Sequence, residues 1–293
     1  MSDVSKSSES SESSGTAGLP GESGTTPILL TEVVDRVGII TLNRPERRNA
    51  LNGPLVAALD AAVKWAADDP EVKVVVLTGA AAEGHHGGFC AGGDVKDASG
   101  PGMALGVPPD ALEGDLSRHD RHAAMLLHLM AKPSIAMVGG PAVGAGFSLA
   151  GACDLRIAAD DALFCAGFAP NGLSGDYGGT VFWTEIVGTA MARELYLLNE
   201  RVPADEAALR GMVHRVFPAE RLRDETLAMA RSMTRIPADL LGRLKQNLNE
   251  AESDRARRRL LFAQETTNQI DGVAARMERA AAKRASREAA EPT

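Results

Sequence analysis

The sequence predicts an α/β fold whose last third is helical, and three observations carry that expectation. Short apolar runs rich in β-branched residues alternate with helical-period segments up to about residue 180. From Thr180 onward the pattern is helical, ending in a long charged segment from about Asp254 to Arg287. Two apolar runs empty into glycine-rich turns, Gly88 to Lys96 and Val138 to Gly146.

Residues 1–26 are rich in Ser, Glu and Gly and read as a disordered tail. A core over 27–218 and a helical region over 219–293 follow. Ile28 to Val34 and Val37 to Leu42 flank Asp35-Arg36 and read as a β-hairpin. Asn43 to Leu51 is a polar loop with a basic cluster. Pro54 suits the first turn of a helix on which Leu55, Leu59, Ala62, Val63 and Ala66 recur at helical spacing until Asp69-Pro70. Val72 to Thr78 is a mostly apolar strand. Asp97 to about Leu116 is rich in Gly, Pro and Ala and reads as a flexible cover beside a ligand site.

Ser117 to Met130 is a helix, and Ile135 to Val138 a buried strand whose glycine turn opens another helix near Phe147. Strands are expected at Leu155 to Ala158 and Ala162 to Cys165, then a third glycine-rich loop, Gly167 to Gly179, holding Asp176 and Tyr177. Helices follow over Val181 to Val187 and Ala190 to Leu198, and one begins at Val202. A short strand spans Met212 to Phe217. Helices over Leu222 to Met233 and Pro237 to Leu248 lead to the last one, whose repeated Arg and Lys read as a solvated face or as a dock for a polyanion or a second subunit.

Composition narrows the function. With 44% hydrophobic and 24% charged residues the chain has the balance of a soluble protein, and no run of 18 apolar residues is present. A net charge of −8 argues against nucleic-acid binding. Cys90, Cys153 and Cys165 lack metal spacing and read as buried thiols of a cytoplasmic protein. His85-His86 has no third ligand in view, so no metal is expected.

The two turns point to chemistry. Free N–H groups at a helix start make a concave donor site with a positive dipole end. Two such turns, each after a buried strand, are what an oxyanion hole built from two separate amides requires. Asp176 and Tyr177 lie in the third glycine-rich loop, where Gly175-Asp176-Tyr177-Gly178 is ordinary turn composition. His119, Asp120 and His122 stand at a helix start and read as an acid–base group or as solvated side chains.

Together these residues resemble the enoyl-CoA hydratase/isomerase (crotonase) superfamily over about Ile28 to Leu248. Leu42-Asn43-Arg44-Pro45 with Asn49-Ala50-Leu51 is similar to its first CoA-contacting loop. Phe89 to Lys96 resembles the first oxyanion segment, and Gly144-Ala145-Gly146 with Cys153-Asp154 the second. Ala207, Leu209 and Gly211 to Val213, with Val216-Phe217-Pro218, resemble the landmark near its end. The resemblance implies a ββα spiral core with a C-terminal helical oligomerisation region, forming a homotrimer or homohexamer. It also implies an acyl-CoA substrate, with coenzyme A as part of the substrate and no separate cofactor.

By the same resemblance, the amides of Gly93 and Ala145 hold the thioester oxygen. Arg48, Ala50, Ala91, Val95 and Lys96 line the CoA nucleotide, and Ser148 and Phe168 lie beside the acyl group. Hydratases of the family carry glutamates at the last two positions; serine is no carboxylate base, and phenylalanine transfers no proton. Asp176 falls where dienoyl-CoA isomerases keep an acid–base aspartate and where a dehalogenase keeps its nucleophile, whose catalytic histidine is replaced here by Arg121. The implied activity is an acyl-CoA lyase or isomerase stabilising a thioester enolate. The alternatives are a hydrolase or dehalogenase with Asp176 as nucleophile, and a non-catalytic acyl-CoA-binding homologue.

Overall fold

A computed structural model describes residues 26–85, 87–94, 122–251 and 255–288. The expected tail, the Gly/Pro-rich cover, His86, Val95, Lys96, His119, Asp120 and Arg121 lie outside them. The chain opens with the hairpin β1 (Leu29–Val34) and β2 (Val37–Leu42), paired antiparallel. Asp35 and Arg36 both take positive φ, 52° and 67°, the two-residue turn that matches strand twist. Helix α1 (Gly53–Asp68) carries Pro54 in its first turn, and Asn52 caps it by accepting the Leu55 N–H at 3.1 Å. Its face of Leu55, Val56, Leu59, Ala62, Val63 and Ala66 is buried. Strand β3 (Val74–Gly79) is buried at every position, as a central parallel strand should be.

Helix α2 (Ala123–Leu129), strands β4 (Ser134–Val138) and β5 (Pro141–Val143), and helix α3 (Ala145–Ala152) follow. Next come β6 (Leu155–Ala159), β7 (Leu163–Cys165), α4 (Gly179–Leu197), β8 (Val202–Pro203), α5 (Ala204–Leu209) and β9 (Arg215–Phe217). Helices α6 (Leu222–Thr234), α7 (Ala238–Ala251) and α8 (Arg255–Glu288) end the described chain. One sheet runs β1-β2-β3-β4-β6-β9, parallel from β2 onward. A smaller one runs β5-β7-β8, and single bridges between Cys90 and Ala142 and between Leu51 and Gly93 continue its pattern. Each pass of the chain thus gives a strand to the large sheet, a shorter extended segment to the small one, and then a helix. Helix α6 lies along the large sheet and buries Leu222, Thr226, Leu227 and Ala230.

Two differences from the sequence expectation have physical reasons. Strand β5 falls inside the expected glycine turn: Pro141-Ala142-Val143 is too short to show periodicity and is extended because Cys90 and β7 pair with it. The two helices expected on either side of residue 188 are both present within α4, separated at Gly188, whose φ of 77° and ψ of 164° are not helical. Val202 and Pro203 pair with β7, so the helix expected from Val202 starts at Ala204.

Candidate active site at the two glycine turns

The first turn is tied to the basic loop before α1. Leu51 N–H donates to Gly92 O at 2.8 Å, Asp94 N–H to Leu51 O at 2.8 Å, and Ala91 N–H to Arg48 O at 3.0 Å. Arg44 reaches from the loop to Asp94 Oδ2 at 3.0 Å and to Ala50 O at 2.5 Å. Both members of that ion pair are largely out of water. Arg44→Ala is therefore expected to lower unfolding free energy by about 3 kcal/mol, since a buried carboxylate loses its cation. Chemical denaturation checks this; a loss below about 1 kcal/mol would show that the pair does not hold the turn. Ala50 is buried, and the Arg48 side chain is exposed with its backbone left-handed at φ 52°.

The second turn meets the first backbone to backbone. Cys90 N–H donates to Pro141 O at 3.2 Å and Val143 N–H to Cys90 O at 3.0 Å. A Cβ on Gly92 would lie 2.8 Å from Val143 O, and one on Gly146 would overlap the Cys90 carbonyl. Gly144, at φ 57° and ψ −123°, turns the chain into α3. All eight residues of α3 are buried, which places its N-terminus in the interior beside Gly92. Among the described residues, neither the Gly93 nor the Ala145 N–H donates to a backbone acceptor. Gly93 is exposed, and Ala145 is the first residue of α3.

Neither position 148 nor position 168 carries a carboxylate, and each is filled. The Ser148 hydroxyl, fully buried, donates to Gly144 O at 3.4 Å and crowds Gly179 at the start of α4. The Phe168 ring stacks on Tyr196 at 6.0 Å and edges the Gly144 turn. Tyr196 projects from α4 into the same cluster, where Phe147 stacks on Trp183 at 4.2 Å.

The third loop delivers Asp176 to this neighbourhood. Three of its neighbours have positive φ: 156° at Gly175, 53° at Tyr177 and 72° at Gly178. A left-handed tyrosine is uncommon and marks a turn held by its surroundings. Asp176 is 7% exposed, and its carboxylate accepts the Tyr177 N–H at 2.7 Å. Burial, and secondly the Glu265 charge, hold its pKa well above the usual carboxylate range despite that bond. Tyr177 is buried as well, and its ring meets His122 edge-on at 6.4 Å. His122 Nδ1 stands 3.6 Å from Asp60 on α1, so the one described member of the histidine-rich helix start does reach the site's edge.

Glu265 was not among the residues singled out from the sequence. It comes from α8, is 6% exposed, and accepts the Thr180 N–H at 3.0 Å. Helix α4 begins at Gly178 without a side-chain cap of its own, so this distant carboxyl supplies it. Burial pushes the Glu265 pKa up to about 7 against the opposing bonds from the α4 backbone. Its position midway along a charged helix gave no local signal; only the packing of α8 on α4 brings it here. Beside it a cavity of about 490 Å³ is lined by Thr180, Val181, Thr184, Leu261 and Glu265 among others, and includes neither glycine turn. That cavity flanks the Asp176 turn and is not its centre.

A raised native pKa has a stability consequence. Between its unfolded value near 4.5 and about 7, Glu265 is protonated in the native state and ionised in the unfolded chain. The native state then binds more protons, so this contribution is lost as pH rises through that window and is gone above it. Relative to Glu265→Gln, wild type is expected to lose about 3 kcal/mol between pH 4 and pH 8. Urea melts across that range check it; parallel curves would contradict it.

Other residues are structural. Burial pushes the Cys90 and Cys153 thiols up to about 12, and Cys165 is raised for the same reason, so all three free thiols are inert. Among the described residues no group of three or more His, Cys, Asp or Glu could hold a metal ion, and no helix is long and apolar enough to cross a membrane.

With this geometry in place, comparison with known proteins is informative. Residues 32–281 match the family described as enoyl-CoA hydratase/isomerase. A 1,2-epoxyphenylacetyl-CoA isomerase of Escherichia coli (strain K12) is 36% identical over 230 residues, covering 77% of this chain and 83% of that protein. A probable enoyl-CoA hydratase of Rhizobium meliloti (strain 1021) is 38% identical over 256 residues, covering 84% and 93%. The crystal structure of an enoyl-CoA hydratase from Mycobacterium avium subsp. paratuberculosis K-10 superposes with a TM-score of 0.69 at 30% identity, covering 87% of this chain and 95% of that one.

Proposed function

Because the chain belongs to the enoyl-CoA hydratase/isomerase family, we propose that it isomerises an acyl-CoA thioester by moving a proton on Asp176. The observation that carries this reading is the carboxyl inventory around the turns. Positions 148 and 168 hold a back-bonded serine and a stacked phenylalanine; of the two buried carboxyls nearby, Glu265 is engaged by the Thr180 N–H at the start of α4, which leaves Asp176 to move a proton. Two-glutamate hydration needs a pair of carboxyls to hold water and move its protons; one carboxyl suffices to take a proton from carbon and return it elsewhere.

In this reading the Gly93 and Ala145 amides receive the thioester carbonyl oxygen. Asp176, ionised, removes a proton from the carbon chain; the electron pair passes into the carbonyl, and the enolate oxygen carries the charge against the two N–H groups. The same carboxylic acid then returns the proton to a different carbon. A base with an elevated pKa suits this, since it binds the abstracted proton more strongly near neutral pH. Arg48, Ala50 and Ala91, with Val95 and Lys96, are proposed to contact the CoA portion, Lys96 offering charge to phosphate. The relatives' names include both an acyl-CoA isomerase and a probable enoyl-CoA hydratase, so the choice between the two activities rests on the carboxyls.

Enoyl-CoA thioesters incubated with the enzyme in D2O provide the test. Expected is deuterium entering the chain carbons by NMR, without the fall in enoyl absorbance that water addition causes. Rapid hydration of crotonyl-CoA would overturn the reading. A trimer or hexamer is proposed as the working assembly, supported by the exposed Leu240, Leu244 and Leu248, one helical turn apart on α7. Sedimentation showing only monomer at micromolar concentration would contradict that.

A further inference from the structure

We propose that Glu265 is a positioning residue for Asp176: its carboxyl, reaching across from α8, holds the glycine turn that presents Asp176 and couples to that aspartate's proton occupancy. The inference rests on the assignment of Asp176 as the proton carrier and extends it to a residue some ninety positions away. Geometry supplies the first part. Oxygen Oε1 of Glu265 accepts the Thr180 N–H at the start of α4 and lies so close to Gly175 that any Cβ there would collide with it. One carboxyl oxygen thus holds the α4 end of the turn by a hydrogen bond and packs against its Gly175 end, with Asp176 between them.

The second oxygen supplies the coupling. Oε2 of Glu265 is buried and has no hydrogen-bond partner among the described residues, and the same is true of the Tyr177 hydroxyl. An ionised carboxylate cannot leave an oxygen unpartnered in such a place cheaply, whereas a carboxylic acid can. Bonds from Thr180, Gly178 and Gly179 favour the ionised form of Glu265, but burial outweighs them. Asp176 adds negative charge, the turn contributes Tyr177, α4 contributes Tyr196 and, across the cavity, Glu185, and α3 contributes the neutral Ser148 hydroxyl. Two buried carboxyls without a cation between them tend to hold one negative charge rather than two, so the proton that leaves one raises the affinity of the other. Glu265 is thus built to keep Asp176 basic.

Carboxyl carbon-13 titration of the wild-type protein tests this without any variant. Asp176 and Glu265 are expected to give two-step curves that share their midpoints; independent single-step curves would overturn the proposal. Glu265→Gln keeps the acceptor oxygen but removes the charge. It is expected to retain plateau kcat within about threefold while the acid limb of the kcat/KM profile moves about one pH unit lower. An unchanged limb in a folded Glu265→Gln protein would also overturn it. Glu265→Ala loses the acceptor too and should lower the melting temperature and kcat at every pH, an effect the glutamine variant does not share. Should Asp176→Asn keep full turnover, the base assignment fails by itself, and the coupled titration still decides whether the two carboxyls act on each other.

Discussion

Asp176→Asn is expected to lower kcat by about a thousandfold, with KM for the acyl-CoA substrate changed less than about threefold. The amide has the shape of the carboxylate and keeps an oxygen for the Tyr177 N–H, so the turn has no reason to move. What it lacks is a site for the abstracted proton, and no carboxylate at 148 or 168 can substitute. The same change should stabilise the protein above neutral pH. A carboxyl whose pKa is held up by burial costs free energy once it ionises, and asparagine carries no such cost. Loss of turnover together with a higher melting temperature at pH 8 separates removal of a functional group from disruption of structure. Turnover within tenfold of wild type would remove Asp176 from the mechanism. If turnover is lost and mass spectrometry of quenched wild type shows an acyl or aryl adduct on Asp176, the aspartate acts as a nucleophile and the isomerase reading gives way to hydrolysis or dehalogenation.

Gly146→Ala is expected to lower kcat/KM by a hundred- to thousandfold, about what removing one oxyanion donor costs. Its methyl would overlap the carbonyl of Cys90, which is backbone and cannot rotate aside. Relief requires α3 to withdraw from the first turn, which moves the Ala145 N–H away from the Gly93 N–H. Because Cys90 and Gly146 are both in the core, a lower melting temperature should accompany the loss of activity. Gly140→Ala is the matched control. It lies in the same stretch, but its methyl would meet nothing closer than 3.4 Å, so little change is expected. Equal effects at 140 and 146 would show that general tolerance of the segment, and not the separation of two amides, governs activity.

Much of this architecture was legible in the residues. Asp35-Arg36 between two β-branched runs left little but a hairpin, and Pro54, the apolar period of α1 and Asp69-Pro70 set both ends of a helix. The glycines at 92, 144 and 146 marked two turns, and only the packing at Cys90, Val143 and Gly144 shows how closely their backbones approach. Strand β5 was not legible, because three residues carry no period and only pairing with Cys90 and β7 extends them. Nor was the state of Ser148: composition cannot say whether a small hydroxyl faces a ligand or, as here, the Gly144 carbonyl and the start of α4.

Local order along the chain was enough to determine most of the strand-and-helix succession, the two turns and the presence of a lone aspartate in the third loop, since periodicity and glycine placement act over a few residues. Which groups surround that aspartate was decided only by tertiary structure. Tyr196 and Glu265 approach it from helices 20 and 89 residues further on, and nothing local marks either one. Burial and unpartnered oxygen atoms are properties of the assembled interior, and they set the charge that a carboxyl keeps.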